Sequence, residues 1–273
     1  MKKFDGILIC SDLDGTLLQK NEYVSPENRE AIAYFKSEGG TFTFITGRMP
    51  RFVGNCIDAV RPNAPIGCIN GGGIYDYPNK KYLWTHEASR DILDLVELAE
   101  REMPSLGIQL NTFENTYFCR DNSVMVWFRE LTGAEYLTCN CRETEEPIAK
   151  ILFGVETEEE MERLDRLLKA HPTAKNFDFV SAEKTLYEIL PKGVNKGNLL
   201  APMVNLLGME LEKTIAVGDY DNDVQMLRAA KLGIAVANAS PAAKAAADHV
   251  TVSNEEHAIA RIISDLDSGA LQI

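Results

Sequence analysis

No stretch of this 273-residue chain approaches the ~20 consecutive apolar residues of a membrane-spanning helix, so no span is expected. The N-terminus MKKFDGILICSDLDG carries two lysines, but its apolar run is short and breaks into acids, so no secretory signal is read there. Positive charge is in deficit: 28 Lys and Arg stand against 41 Asp and Glu, a net charge of −13. That balance disfavours non-specific binding to nucleic acid or anionic membrane and repels an anionic substrate at long range. Internal repeats and low-complexity segments are missing. The six cysteines, Cys10, Cys56, Cys68, Cys119, Cys139 and Cys141, show no paired-spacing framework. Cys139 and Cys141 are close in sequence, but two further metal ligands are not found near them. Reduced, structural cysteines in a cytoplasmic protein are therefore expected. What remains is a composition of 45% hydrophobic and 25% charged residues, ordinary for a soluble globular protein with a sizeable core. The length allows one large domain or two moderate ones.

The two ends of the chain share one pattern. Residues 6–11 (GILICS) form a short, continuous apolar run that reads as a buried strand. Ser25-Pro26-Glu27 opens a helix, with Ser25 as N-cap and Pro26 in the first turn, and Gly39-Gly40 closes it. Residues 41–45 read as a second strand. Val53, Ile57 and Val60 line one face of a second helix. Residues 66–69 form a third strand, ending at Asn70-Gly71-Gly72-Gly73. The alternation returns near the C-terminus: helix over 195–207, strand over 214–217, helix over 222–231 and strand over 234–237. Such alternation predicts a parallel sheet covered by helices. The middle differs. Residues 74–85 read as a hairpin with a Pro-Asn turn, and 88–103 as an amphipathic helix. Strand-like segments follow at 107–112, 115–119, 148–155, 176–181 and 185–190, with a charged helix over 157–169. The expected fold is α/β: a doubly wound, mainly parallel sheet built from residues 1–83 and 189–273. An α+β domain is inserted at 84–188.

Four segments carry chemistry, each at the C-terminal end of a predicted core strand or at the start of a core helix, where open α/β sheets bind ligands. Asp12-Leu13-Asp14-Gly15-Thr16-Leu17 follows the first strand. Two carboxylates so close repel one another unless a cation or hydrogen bonds intervene. A bare pair of this kind is commonly only a polar strand end. Thr46-Gly47-Arg48 follows the second strand, and its hydroxyl and glycine N–H suit an anion. Lys196 opens a helix, where a cation is misplaced by ~0.3–1 kcal/mol unless an anion sits there too. Gly218-Asp219-Tyr220-Asp221-Asn222-Asp223 follows the strand TIAV and offers oxygen ligands to a hard cation. A calcium loop starting at Asp219 would need Gly and Glu where Val224 and Ala230 stand, so that reading fails.

Together these segments resemble the haloacid dehalogenase-like phosphatase superfamily. ITGR at 45–48, NGG at 70–72, PKGVNKG at 191–197, GDYDNDVQML at 218–227 and VANA at 236–239 resemble its Cof-type sugar-phosphatase branch more closely. Asn195 departs from the Ser common there. The resemblance implies a Rossmann-like core, an inserted cap and a magnesium-dependent phosphatase acting on a small phosphorylated metabolite. It implies Asp12 as nucleophile and Asp14 as general acid and base. It places Mg²⁺ on the Asp12 carboxylate, the Asp14 carbonyl and Asp219, with Asp223 joining or supporting them. Lys196, Thr46, Asn222 and the N–H groups of Leu13 and Gly47 would hold the phosphoryl oxygens. Arg48, Asn70 and Asn238 would touch the substrate or only order their loops. The cap would close over the phosphate and read the leaving group, with Glu188 a candidate contact. A phosphomutase and a non-catalytic metabolite sensor on the same scaffold remain rival readings.

Overall fold

The computed structural model describes residues 2–20 and 22–273. The chain divides into two compact units, Met1–Thr85 with Asn195–Ile273, and His86–Val194.

The first unit begins with β1 (Leu8–Ser11), α1 (Pro26–Ser37), β2 (Thr41–Phe44), α2 (Gly54–Val60), β3 (Ile66–Cys68), β4 (Gly73–Asp76) and β5 (Lys81–Thr85). Ser25 caps α1 by accepting from the Asn28 N–H at 3.2 Å. The helix stops before Gly39, whose φ of 93° lies in the left-handed region that glycine reaches without cost. The second unit contributes α3 (Ile92–Glu102), β6 (Gly107–Thr112), β7 (Thr116–Arg120), α4 (Ser123–Thr132), β8 (Ile148–Gly154), α5 (Glu158–Lys169), β9 (Phe177–Glu183) and β10 (Leu186–Pro191). Its strands form an antiparallel sheet in the order β7-β6-β8-β10-β9. Ile108, Leu110, Ile151, Phe153 and Ile189 pack with apolar residues of α3 and α5 in its own core. The chain then returns to the first unit through α6 (Lys196–Leu207), β11 (Thr214–Gly218), α7 (Val224–Ala229), β12 (Leu232–Ala235), α8 (Pro241–Ala246), β13 (His249–Val250) and α9 (Ala258–Ser268).

The first unit is organised around a parallel sheet in the order β13-β12-β11-β1-β2. Ile9 pairs with Ile215 on one side and Phe42 on the other. Every residue of β1 is buried, as expected of a strand covered on both faces. The chain leaves β1 toward β2 and later returns to β1's other side as β11. Their C-terminal ends are therefore a topological switch point, the place where open α/β sheets hold ligands. A parallel bridge from Ile45 to Gly67 continues this order to β3, which joins β4 and β5 in an antiparallel sheet.

The structure differs from the sequence reading in several elements. The strand expected over 234–237 is β12 at Leu232–Ala235; Val236 still donates to the Gly218 carbonyl at 3.2 Å, and a turn closed by the Ala239 N–H on the Val236 carbonyl at 3.0 Å follows at once. The run LGIAVA is apolar throughout, so no alternation marks where its strand starts. The helix expected over 222–231 is a 3₁₀ turn at Asp221–Asp223 followed by α7, which ends at Ala229 because Ala230 is extended. Helices α4, α8 and α9 and strand β13 were not anticipated.

Candidate functional site

Asp12 is the first residue after β1, and its N–H donates to the Val217 carbonyl at 2.8 Å. The chain then folds into a tight turn over Leu13–Leu17, closed by the Leu18 N–H on the Leu13 carbonyl at 2.8 Å. Gly15 makes that turn possible. Its φ is 76°, and a Cβ there would stand 2.4 Å from Asp219 Oδ2. The turn thus brings the backbone of the first motif against the carboxylate of the last.

Lys196 joins the distant parts of the site. It is the first residue of α6, behind the Asn195 N-cap that accepts from the Asn198 N–H at 2.8 Å. Asparagine caps as well as serine does, so the departure at 195 leaves the helix start intact. The Lys196 side chain is 1% exposed. Its Nζ donates to Asp12 Oδ1 at 2.6 Å and to Asp223 Oδ1 at 2.7 Å. The second oxygen of Asp223 accepts from the N–H groups of Asp219 and Tyr220 at 2.9 and 3.1 Å. Asp223 therefore locks the loop after β11 and anchors the lysine at once. Asp219 accepts from the Thr16 hydroxyl at 2.9 Å.

The electrostatics are unbalanced. Asp12, Asp219 and Asp223 offer carboxylate oxygens that all lie within 4.8 Å of one another. One buried ammonium faces them. Burial opposes the lysine's charge, but Asp12 and Asp223 hold it protonated, above its ordinary value. Burial, then Asp223, pushes Asp12 well above the carboxylate range against the pull of Lys196. Burial and Asp223 likewise raise Asp219 to about 6. Three close carboxylates with one cation are short of positive charge, and all the donors are hard oxygens. The residues present fit a small divalent cation such as Mg²⁺.

The other expected residues fall around this centre. Asp14 turns its carboxylate outward, where Arg48 grips it, Nε on Oδ2 at 2.9 Å and an Nη on Oδ1 at 2.5 Å. Arg48 also lies 3.5 Å from Glu22. The Asp14 carboxylate is thus outside the acidic trio. Thr46 is buried after β2, its hydroxyl accepting from the Arg48 N–H at 3.1 Å. Asn222 donates to Asn70 at 3.1 Å, and Asn70 packs against Gly47 so closely that a Cβ there would meet it at 3.0 Å. Asn238 donates to the Gly15 carbonyl at 2.8 Å and accepts from the Asn254 N–H at 3.0 Å. Asn70 and Asn238 therefore fasten loops. Leu13 is buried at the start of the turn. Glu188 lies in the second unit, buried and ion-paired with Lys150. Two functional links escaped the sequence reading: the hold of Thr16 on Asp219 and the clamp of Arg48 on Asp14. Both partners were visible inside their motifs, but their pairing joins segments far apart in the chain.

Comparison with known proteins identifies the family and the fold. Residues 9–263 match a family model described as haloacid dehalogenase-like hydrolase. Among curated relatives, a Bacillus subtilis phosphatase is 29% identical, over 95% of this chain and 99% of that protein. A 5-amino-6-(5-phospho-D-ribitylamino)uracil phosphatase of the same organism is 28% identical, over 94% of each. Among solved structures, a haloacid dehalogenase-like hydrolase from Bacteroides thetaiotaomicron aligns with a TM-score of 0.84 at 25% identity, covering 95% of this chain and 99% of that one.

Proposed function

The chain belongs to the haloacid dehalogenase-like hydrolase family, and from that membership we propose that it hydrolyses small phosphate monoesters through an aspartyl-phosphate on Asp12, with Mg²⁺ as cofactor. The observation that carries this reading is the buried lysine bridging Asp12 and Asp223, beside Asp219. It gives a nucleophile at the end of β1 a fixed orientation and an adjacent cation.

In the first step an Asp12 oxygen attacks phosphorus and the bond to the leaving oxygen breaks. Asp14 gives that oxygen a proton. In the second step Asp14 takes a proton from water, the water oxygen attacks phosphorus, and the bond to Asp12 breaks. Inorganic phosphate leaves and both aspartates are restored. Asp14 must release Arg48 to reach either partner, so Arg48 sets where that carboxylate waits. Lys196, Thr46 and the N–H groups of Leu13 and Gly47 orient the phosphoryl oxygens, while Asn222 braces the site through Asn70. Asp12, Asp219, Asp223 and the Asp14 carbonyl would hold Mg²⁺, which supplies positive charge to the phosphoryl oxygens. The unit His86–Val194 acts as the cap that selects the leaving group. Sugar phosphates and similar metabolites are the substrate class. The Bacillus subtilis relative named for a phosphorylated ribityl compound is in keeping with that class.

The test is phosphate release from a generic aryl phosphate. Asp12→Asn and Asp12→Ala should each lower kcat by at least ~10³-fold, the scale at which removing a nucleophile acts. Substantial turnover by either variant refutes the nucleophile. EDTA should stop the wild-type reaction and Mg²⁺ should restore it. A panel of phosphorylated metabolites then ranks the leaving groups.

A further inference from the structure

All six cysteines are free thiols, and three of them, Cys119, Cys139 and Cys141, belong to one apolar cluster of the second unit. Cys119 lies on β7. Cys139 and Cys141 lie in residues 133–147, which contain no helix or strand beyond one bridge. That bridge is the decisive feature. Leu137 pairs in parallel with Tyr117, and its carbonyl accepts from the Phe118 N–H at 2.8 Å. Two residues further along both segments come Cys119 and Cys139. In parallel register, residues two apart point to the same face, so these two side chains emerge as neighbours. Their sulfurs are 3.7 Å apart.

We propose that Cys119, Cys139 and Cys141 form an oxidation site, in which a hydroperoxide closes one disulfide from Cys119 to the 139–141 segment. Cys139, half-buried and 3.7 Å from Cys119, starts the reaction. Its thiolate attacks the peroxide O–O bond, takes one oxygen as a sulfenic acid, and the other oxygen leaves as water or alcohol. The Cys119 sulfur then attacks the Cys139 sulfur, and hydroxide leaves with the Cys119 proton as water. Two thiols lose two electrons, and the hydroperoxide gains them. Cys141, two residues on in the same segment, can exchange into the link without further oxidation. Cys119 and Cys139 are half-buried, which admits a molecule as small as hydrogen peroxide. The other three cysteines provide an internal contrast. Burial raises Cys10 to about 12 and Cys56 to about 11, and Cys68 donates to the Gly73 carbonyl at 3.3 Å. The disulfide would pin residues 133–147 to β7.

The test treats the full chain with hydrogen peroxide and then blocks remaining thiols before peptide mapping by mass spectrometry. The expected product has lost two hydrogens and joins the peptide holding Cys119 to the one holding Cys139 and Cys141. Cys10, Cys56 and Cys68 should stay alkylatable. Cys119→Ser should abolish the link, and dithiothreitol should reverse it in the wild type. The proposal is overturned by no cross-link, by a link that includes Cys10, Cys56 or Cys68, or by a Cys119→Ser chain that still loses two hydrogens. The wild-type map decides on its own if the variant fails to fold.

Discussion

Lys196 shows how much a single side chain organises here. It is buried between two carboxylates, so replacing it leaves Asp12 and Asp223 without their cation in a low-dielectric site. Removing one partner of a buried pair costs about 3–5 kcal/mol. Lys196→Ala should therefore lower the urea midpoint strongly as well as abolish activity. Asp219 yields a second prediction at this scale. Its pKa is raised from 3.8 to about 6, so between those values the folded state binds more protons than the unfolded one. Its contribution is fully present below the unfolded value and is lost as pH rises toward 6. A divalent cation favours the ionised carboxylates and should offset that loss. Mg²⁺ is thus expected to raise the thermal midpoint at about pH 7.5 and to have little effect near about pH 4.5, where protons compete. A Mg²⁺ shift equal at both pH values would contradict the assignment of Asp219 to the metal.

At the scale of elements, the site depends on close approach of backbones. Gly197 lies in the first turn of α6, where a Cβ would meet the Gln225 carbonyl at 2.3 Å. That contact seats α6 against α7. Gly197→Ala should push the helices apart at a cost of about 1–3 kcal/mol, the usual penalty of overpacking. Because Lys196 is the preceding residue, kcat should fall together with the denaturation midpoint. The same scale marks where the sequence was readable. The Ser25 cap, the Pro-Asn hairpin and the alternating core strands rest on local chemistry, and they appear close to where they were expected. α9 was legible too, since Ile259, Ile262, Ile263 and Leu266 repeat at helical spacing, but it went unread. α4 was harder: VMVWF is continuously apolar, and its helix is set by the Asn122 cap and by packing of Val124 and Met125 on the second sheet.

At the scale of the molecule, the net charge of −13 works against an anionic substrate. The local lysine and a bound cation would act at contact range, whereas the surface repels at distance. Salt screens the distant term first, with a Debye length of about 30 Å at 0.01 M and about 8 Å at 0.15 M. KM for a phosphate ester should therefore fall as ionic strength rises across that range at fixed Mg²⁺, with kcat nearly constant. A rising KM would mean that attraction, not repulsion, governs the approach.

The division between sequence and tertiary structure follows from distance along the chain. Sequence alone determined the parallel core, the interruption by a second unit's worth of α+β pattern, and the four acidic, hydroxyl and basic motifs. Each is written in residues only a few positions apart, where capping, periodicity and turn chemistry operate. It could also place the motifs at strand ends, because strand–helix alternation dictates that edge. Only the tertiary structure decided which side chains meet. Thr16 reaches Asp219 because β1 and β11 are neighbours in the sheet though far apart in sequence, and Lys196 reaches Asp12 from the start of α6. It also turned Asp14 away toward Arg48, and brought Cys119 beside Cys139 through a single parallel bridge. Such pairings depend on sheet order and register, which no local pattern encodes.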